Sequence, residues 1–245
     1  MQIVFLHGLA ASKNFFLEIE RSFKKSGAET LSFDFLGFGE NKDKGKDFTL
    51  KEHLSNINSE ISNKFPQGEV FLVGHSMGGI LALAWAKENP NRINKIVLLN
   101  TPLFENKKEA KKVVLKSKTG WGYYLLSKPN FSRMACNFLC QRNFMRFFKF
   151  LKPSYVSDAV FSDYRLHTFK SLNNTFKNIV LGTSGLSLLS LISVPVLNLI
   201  ADNDLLSNKH IQQKNVRTKI LSGGHYAPLQ HINETVKEIK NFFSM

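Results

Sequence analysis

The sequence predicts an α/β fold in which a mainly parallel sheet is covered by helices on both faces. Short apolar, β-branched stretches alternate with helix-forming stretches up to residue 102, and the alternation resumes near residue 194. The composition, with 43% hydrophobic and 21% charged residues, is that of an ordinary globular protein. The length of 245 residues suits one large domain or one domain with a big insertion.

The predicted strands are short and apolar, which is typical of strands buried on both faces of a parallel sheet. They cover residues 3–6, 30–33, 69–73, 93–100, 194–200 and 217–221. Helices are predicted at residues 14–26, 50–65, 80–87 and 234–243, and Thr49 is expected to cap the second of them. Because crossovers between parallel strands are right-handed, we expect these helices to cover both faces of a sheet of about six strands.

Residues 103–190 interrupt this alternation with helical pieces that are dense in Phe, Lys and Arg and contain no clear strand. Ligands of open α/β sheets bind outside the carboxyl ends of the strands, so an insertion that follows a strand is well placed to cover such a site. We therefore predict a core of residues 1–102 and 191–245 and a helical cap of residues 103–190.

Several features bear on the compartment and on cofactors. No apolar run reaches the ~18 residues that a membrane-spanning helix needs, and the N-terminal residues resemble a strand rather than a signal peptide. Cys136 and Cys140 are spaced as two thiols on one helix face rather than as a disulfide. These features predict a cytoplasmic protein. The spacing of His, Cys and acidic residues predicts no metal site, and no glycine-rich phosphate loop indicates a cofactor.

The segment Gly74-His-Ser-Met-Gly-Gly79 lies between a predicted strand and a predicted helix. In this context Gly-x-Ser-x-Gly forms a nucleophile elbow, which holds the Ser76 hydroxyl above the sheet. The backbone N–H of Met77, at the start of the helix, then points to the place where an oxyanion would form. The alternative is an ordinary Gly/Ser turn between a strand and a helix.

A serine hydroxyl needs a base to take its proton, and the base needs a carboxylate to orient it. His225 follows the last predicted strand in a Gly-Gly-His loop, and Asp204 follows the strand before it. The sequence therefore predicts a triad of Ser76, His225 and Asp204. Asp202 is the alternative acid because it lies in the same turn, whereas Asn100, after the strand that follows the elbow, cannot serve as an acid.

These motifs resemble those of the α/β-hydrolase-fold serine hydrolases, in particular the compact capped esterases that include the pimeloyl-carrier-protein methyl ester esterases. The matching motifs are Leu6-His7-Gly8, Asp34-x-x-Gly37-x-Gly39, Gly74 to Gly79, Pro195 to Asp204, and Gly224-His225. The resemblance implies the chain order Ser, Asp, His for the triad, and it assigns the oxyanion hole to the backbone N–H groups of Leu9 and Met77.

The chain departs from that family at its start, where the usual N-terminal antiparallel hairpin is missing. We therefore expect a sheet of six strands, with residues 31–34 at an edge. Four further residues are candidates for the substrate pocket. His7 is expected to hydrogen-bond within the oxyanion loop, His75 lies beside the nucleophile, and Trp121 and Phe138 belong to the predicted cap.

The net charge of +14 is concentrated in residues 101–152, which hold 12 Lys and Arg residues against two acidic ones. Within this region Arg133, Arg142, Arg146 and Lys149 are candidate docking residues. An acidic acyl carrier protein or an anionic membrane surface would suit them, and a solvated lysine-rich face is the plainer reading. Nucleic acid is not expected, since no binding motif is present and the triad would be unexplained.

Together these features predict a serine hydrolase that cleaves a carboxylic ester through an acyl-enzyme, with the acyl group held under a basic cap. The ester is expected to be a small molecule or carrier-linked, and no cofactor is needed. The alternatives on the same triad are a pimeloyl-acyl-carrier-protein methyl ester esterase of biotin synthesis and a thioesterase or lipase-like acyl hydrolase. An alternative of another class is a non-enzymatic carrier-binding or membrane-binding module.

Overall fold

The computed structural model describes residues 1–118, 120–139, 154, 156–163, 165–207 and 211–245. The described strands are β1 (Gln2–Leu6), β2 (Glu29–Ser32), β3 (Val70–His75), β4 (Ile93–Leu99), β5 (Val196–Ala201) and β6 (Val216–Leu221). They form a six-stranded sheet in the order β2-β1-β3-β4-β5-β6, in which every neighbouring pair is parallel. The predicted α/β architecture is confirmed, and β2 lies at an edge of the sheet as expected.

The described helices are α1 (Leu17–Lys24), α2 (Leu50–Lys64), α3 (Met77–Glu88), α4 (Lys107–Ser117), α5 (Gly120–Ser127), α6 (Pro129–Leu139), α7 (Asp158–Asp163), α8 (Phe169–Thr175), α9 (Gly185–Ser190), α10 (Ala227–Gln230) and α11 (Ile232–Phe243). As expected, Thr49 caps α2, and its hydroxyl and the Glu52 carboxylate form a reciprocal capping box. Among these helices, none is both long and apolar enough to cross a membrane.

One predicted helix is divided in the structure. Residues 14–26 were expected to form one helix, but a 3-10 turn (Lys13–Phe16) precedes α1. The Ser12 hydroxyl accepts the Asn14 N–H at 3.1 Å and starts the tighter turn, which brings Phe15 and Phe16 into the core. Local capping and the burial of two large rings therefore override a continuous helix.

The core has two layers because successive residues of a strand face opposite sides of the sheet. Val4 and Leu6 of β1 belong to the apolar cluster that includes α2 and α3. Ile3 and Phe5 belong to the opposite cluster, which includes α1 and α11. Helices therefore cover both faces of the sheet, as predicted. The loops at the carboxyl ends of the strands are not covered by these helices, and they can form a binding site.

Helices α4 to α9 lie between β4 and β5 in the chain, with a π-helical turn (Phe176–Val180) after α8. Several hydrogen bonds tie this segment to loops that leave the carboxyl ends of β1 and β2, among them the two that follow. The Ser12 hydroxyl donates to Asp163 Oδ2 at 2.5 Å, and the Gly39 N–H donates to the Leu166 carbonyl at 2.8 Å. The division into a core and a cap with the stated boundaries stays a prediction.

Candidate active site

Ser76 occupies the sharp turn between the end of β3 and the start of α3. Its backbone has φ 52° and ψ −121°, a conformation that L-residues adopt rarely. The Ser76 N–H donates to the carbonyl of Leu99, at the end of the neighbouring strand β4, at 2.9 Å. The strand on one side and the helix on the other thus hold the serine in a strained position, as is common for functional residues.

The glycines around Ser76 are required by space. A Cβ at Gly74 would lie 2.6 Å from the backbone of Gly78, and a Cβ at Gly78 would overlap the Leu6 carbonyl oxygen. A Cβ at Gly79 would overlap the side chain of Thr101. α3 can therefore approach the sheet and Ser76 only because these three positions carry no side chain.

The structure brings Ser76, His225 and Asp204 into one hydrogen-bonded line. His225 Nε2 lies 2.9 Å from Ser76 Oγ, and His225 Nδ1 lies 2.9 Å from Asp204 Oδ2. A carboxylate only accepts hydrogen bonds, so Nδ1 carries the proton of the neutral ring and Nε2 is left to accept from the serine hydroxyl. This arrangement of nucleophile, base and orienting acid is the one that general-base activation of a serine requires.

The carboxylate of Asp204 is surrounded by donors. Besides His225, Oδ2 accepts from Ser207 Oγ at 2.6 Å and from Asn100 Nδ2 at 3.0 Å, and Oδ1 accepts from the Leu206 N–H at 3.0 Å. Burial raises the pKa of this carboxyl, but the hydrogen bond and charge of His225 and the other donors outweigh it and lower the pKa to about 2. Asp204 is therefore ionised at neutral pH.

The competing acid has a different role in the structure. Asp202 Oδ1 accepts the Gly223 N–H at 2.9 Å and so joins the two loops that follow β5 and β6. Asn100 cannot act as the acid, but it joins two parts of the site. Its Nδ2 donates to Asp204 and also to the Gly224 carbonyl, at 3.2 Å, next to His225. Sequence reasoning missed Asn100 and Ser207 as partners of Asp204.

The two histidines predicted for the pocket are buried and do not line the cavity described below. The His75 ring stacks on Phe15 with centroids 4.2 Å apart, and its Nε2 lies 3.0 Å from the His225 carbonyl oxygen. Burial, followed by the nearby charge of His225, lowers the pKa of His75 to about 3. The ring is thus neutral, and its Nε2–H donates to the carbonyl because that oxygen only accepts.

His7 lies at the start of the loop that follows β1. Its Nε2 accepts the Phe35 N–H at 3.1 Å, so Nδ1 carries the proton and donates to the Gly8 carbonyl at 2.8 Å. Burial lowers the pKa of His7. Asp34 fixes the neighbouring turn, where its carboxylate accepts the N–H groups of Lys13 and Glu40. Both residues shape loops rather than contact the cavity.

The two candidate oxyanion donors flank the serine. Met77 is the first residue of α3, so its N–H has no acceptor within the helix. A Cβ at Gly8 would lie 3.2 Å from the Ser76 Cβ, which shows that the loop after β1 passes directly beside the serine. Leu9 follows Gly8 and lines the cavity. The backbone therefore passes close to Ser76 at both positions, and the assignment of the two N–H groups as oxyanion donors stays a prediction.

Ser76 and His225 open into a cavity of about 470 Å³. Its lining is mainly apolar and comes both from the sheet loops and from the segment between β4 and β5. The described lining includes Leu9, Pro102, Val114, Tyr123, Phe176, Val180, Leu205 and Tyr226. A cavity of this size and polarity suits a small ligand with an apolar part. Among the described residues, no group of three or more His, Cys, Asp or Glu side chains could hold a metal ion.

Some predicted residues cannot be placed. The side chains of Trp121 and Phe138 and all of Arg142, Arg146, Lys149 and Cys140 lie outside the described residues. Arg133 is exposed on α6, and Cys136 is buried there. Gly122 and Tyr123, the two residues that follow Trp121, line the cavity.

Comparison with known proteins identifies the family. Residues 2–231 match the family model of the alpha/beta hydrolase fold, and the chain belongs to that family. It is 25% identical over 202 residues to the "Probable lysophospholipase BODYGUARD 3" of Arabidopsis thaliana, a match that covers 74% of this chain and 40% of that protein. It is 30% identical over 96 residues to the "Putative esterase/lipase 2" of Mycoplasma genitalium, covering 39% of this chain and 36% of that protein.

Solved structures agree on the fold. The crystal structure of a bromoperoxidase from Bacillus anthracis matches with a TM-score of 0.76 and 17% identity, covering 100% of this chain and 92% of that one. At that identity the likeness shows the fold alone. The matched region spans less than half the length of the curated relatives.

Proposed function

We propose that the protein is a serine hydrolase that cleaves carboxylic esters through an acyl-enzyme. The observation that supports it best is the unbroken line from Ser76 through His225 to Asp204, with both contacts at 2.9 Å and the serine at the cavity. In the proposed reaction, Ser76 Oγ attacks the acyl carbonyl carbon while His225 Nε2 takes its proton. Asp204 holds the ring and stabilises the imidazolium.

The remaining steps of acylation and the later hydrolysis of the acyl-enzyme use the same groups. The N–H groups of Leu9 and Met77 stabilise the oxyanion of each tetrahedral intermediate. His225 returns its proton to the leaving alkoxide, the acyl group stays on Ser76, and a water molecule activated by His225 then releases the acid. The balance is one ester and one water consumed, and one acid and one alcohol released.

The lining of the cavity favours an ester with an apolar acyl group. Val114, Phe176 and Val180 face the space beside the serine, and exclusion of water from such a lining strengthens the hydrogen bonds made to a developing oxyanion. Relatives named as an esterase/lipase and as probable lysophospholipases fit the same substrate class. A carrier-linked methyl ester and an acyl thioester suit the same chemistry and belong in the substrate panel. A cytoplasmic location stays a prediction from the sequence.

The test is hydrolysis of p-nitrophenyl esters from acetyl to palmitoyl by the wild type, by Ser76→Ala and by Ser55→Ala, whose side chain is exposed on α2. We expect Ser76→Ala to lower kcat by about 10⁴-fold or more, since the nucleophile is removed, and Ser55→Ala to match the wild type. Equal rates for the wild type and Ser76→Ala would contradict the proposal.

A further inference from the structure

The outward half of α4 is strongly basic. At about 100° per residue, Lys107, Lys108, Lys111, Lys112 and Lys116 fall within one half of the helix circumference, and Leu115 lies near its middle. All five lysines are exposed, and none forms an ion pair with another described residue. Leu115 is 43% exposed among them. The opposite side of the helix buries Ala110 and Val114 and also carries Glu109 and Ser117.

Exposed apolar side chains also lie on the next two helices, and α4 packs against α5 and α5 against α6. Gly122 of α5 lies against Val114 of α4, since a Cβ at Gly122 would meet the Val114 side chain at 3.2 Å. On α5 and α6, Tyr124 and Phe131 have ring centroids 6.1 Å apart. Phe131 is 50% exposed and Met134 is 64% exposed. Lys128 and Arg133 add two exposed cations.

We propose that this surface, called here the basic face (Lys107, Lys108, Lys111, Lys112, Leu115 and Lys116 of α4 with Tyr124, Phe131 and Met134), docks on a lipid bilayer that contains anionic phospholipids. The lysines meet the phosphates of the headgroups, and the apolar side chains enter the boundary between headgroups and acyl chains. Lysines interleaved with exposed leucine, aromatic and methionine side chains have the composition of helices that lie in a membrane interface.

The basic face has a charged part, the lysines, and an apolar part, the exposed leucine, aromatic and methionine side chains. A bilayer would bind both parts, whereas a hydrated acidic protein surface would bind only the lysines. An acidic protein surface would pair with the lysines but would leave Phe131 and Met134 in water. A bilayer neutralises the cations and removes the exposed apolar area from water at the same time. The charge of the face and its apolar content therefore favour a lipid partner.

The helix that carries the lysines also lines the cavity of the site, with its opposite side. Val114 and Ser117 of α4 and Gly122 and Tyr123 of α5 line that cavity, which ends at Ser76. Docking by this face brings the lining of the cavity to within about one helix diameter, about 10 Å, of the bilayer surface, a short path for an acyl chain that passes from the lipid to the serine. This last step rests on the proposed hydrolase function; the docking itself does not.

The docking test is co-sedimentation with vesicles of phosphatidylcholine alone and of phosphatidylcholine mixed with phosphatidylglycerol. It is done in the Ser76→Ala background so that hydrolysis cannot alter the vesicles. We expect binding to the mixed vesicles that weakens as salt is raised. Near an anionic surface one basic side chain contributes about fivefold to partitioning, so the triple variant Lys108→Gln/Lys111→Gln/Lys112→Gln should bind roughly a hundredfold more weakly.

A matched control removes the same charge elsewhere. Lys25, Lys64 and Lys87 are exposed at the carboxyl ends of α1, α2 and α3. These helices lead into β2, β3 and β4, so the three lysines lie near the amino ends of the strands, away from Ser76. Their triple Gln variant should bind within about twofold of the unsubstituted protein, because these positions lie far from the basic face.

The apolar contribution has its own matched pair. Phe131→Ser/Met134→Ser should weaken binding severalfold at every salt concentration. The control Leu191→Ser/Ile220→Ser changes side chains that are 61% and 60% exposed elsewhere in the molecule, and it should bind normally.

Each result decides one point. Absence of binding to the mixed vesicles at low salt overturns the proposal, as does an equal loss in the two triple variants. Binding of the basic face to an acidic acyl carrier protein in place of vesicles would assign it to a protein partner instead.

Activity separates the docking proposal from the hydrolase proposal. In protein that retains Ser76, the basic-face triple variant should keep the wild-type kcat/KM on p-nitrophenyl butyrate. If the wild type itself shows no esterase activity, the hydrolase proposal fails, and vesicle binding still decides the docking.

Discussion

Replacing the Asp204 carboxylate by an amide separates the two acids that the sequence left in competition. Asp204 Oδ2 accepts from three donors and Oδ1 from one. In Asp204→Asn the amide oxygen therefore takes the Oδ2 position, where it still accepts from His225 Nδ1, and the NH₂ group faces only the Leu206 N–H. The ring keeps its productive tautomer, so what is lost is mainly the negative charge.

The magnitude can be bounded in two ways. A full charge pair at 2.9 Å is worth about 6 kcal/mol at an effective dielectric constant of about 20, which equals a factor of about 10⁴ in rate. The pKa of Asp204, lowered to about 2 against the opposing effect of burial, corresponds to about 2 kcal/mol, or somewhat under 10². We therefore expect kcat to fall by about 10² to 10⁴ in Asp204→Asn.

The assay is steady-state hydrolysis of p-nitrophenyl butyrate by Asp204→Asn and by Asp202→Asn. The latter keeps an oxygen that can accept the Gly223 N–H, so its kcat should stay within a few-fold of the wild type. The reasoning is refuted if Asp202→Asn loses more than Asp204→Asn. It is also refuted if Asp204→Asn stays within tenfold of the wild type.

Three further predictions concern packing, pH and substrate size. Gly78→Ala should lower the free energy of unfolding, measured in urea, by about 3 kcal/mol, because the new Cβ would overlap the Leu6 carbonyl oxygen. The control Gly224→Ala has open space around its Cβ and should change that free energy by less than about 0.5 kcal/mol. Burial lowers the pKa of His53 from 6.5 to about 4, so the unfolded chain takes up that proton first. The contribution of His53 to stability is fully present above pH 6.5 and should fall by about 3 kcal/mol towards pH 4, in addition to the loss from buried His75, and His53→Gln should remove the His53 part of the decline. Val180→Phe fills part of the cavity and should exclude about two methylenes of a long acyl chain. The kcat/KM for the octanoyl p-nitrophenyl ester, divided by that for the butyryl ester, should therefore fall about tenfold. An unchanged ratio would mean that the acyl group binds elsewhere.

The fold could be predicted because its strongest signals are local. The alternation of strands and helices and the capping box at Thr49 follow from sterics or hydrogen bonding within a few residues. The glycines around Ser76 form a local sequence motif, although the contacts that require Gly78 and Gly79 are made with Leu6 and Thr101. The placement of Ser76 between a strand and a helix could therefore be predicted from the motif and its flanking residues.

The partners of the site were harder to predict because they are distant in the chain. Asn100 and Asp204 lie 104 positions apart and meet only because β4 and β5 are neighbours in the sheet. The position of His75 follows from the alternation of side chains along β3. It lies two residues after Val73, so it faces the same side of β3 and packs with Phe15 rather than with the cavity.

The central claim is that Ser76 is a nucleophile activated by His225, and covalent trapping tests it most directly. The protein would be treated with a fluorophosphonate and analysed by intact mass and peptide mapping, alongside Ser76→Ala and His225→Gln. We predict a single adduct on the peptide that carries Ser76, absent from Ser76→Ala and formed much more slowly in His225→Gln. An adduct on another residue, or none on the wild type, would contradict the account.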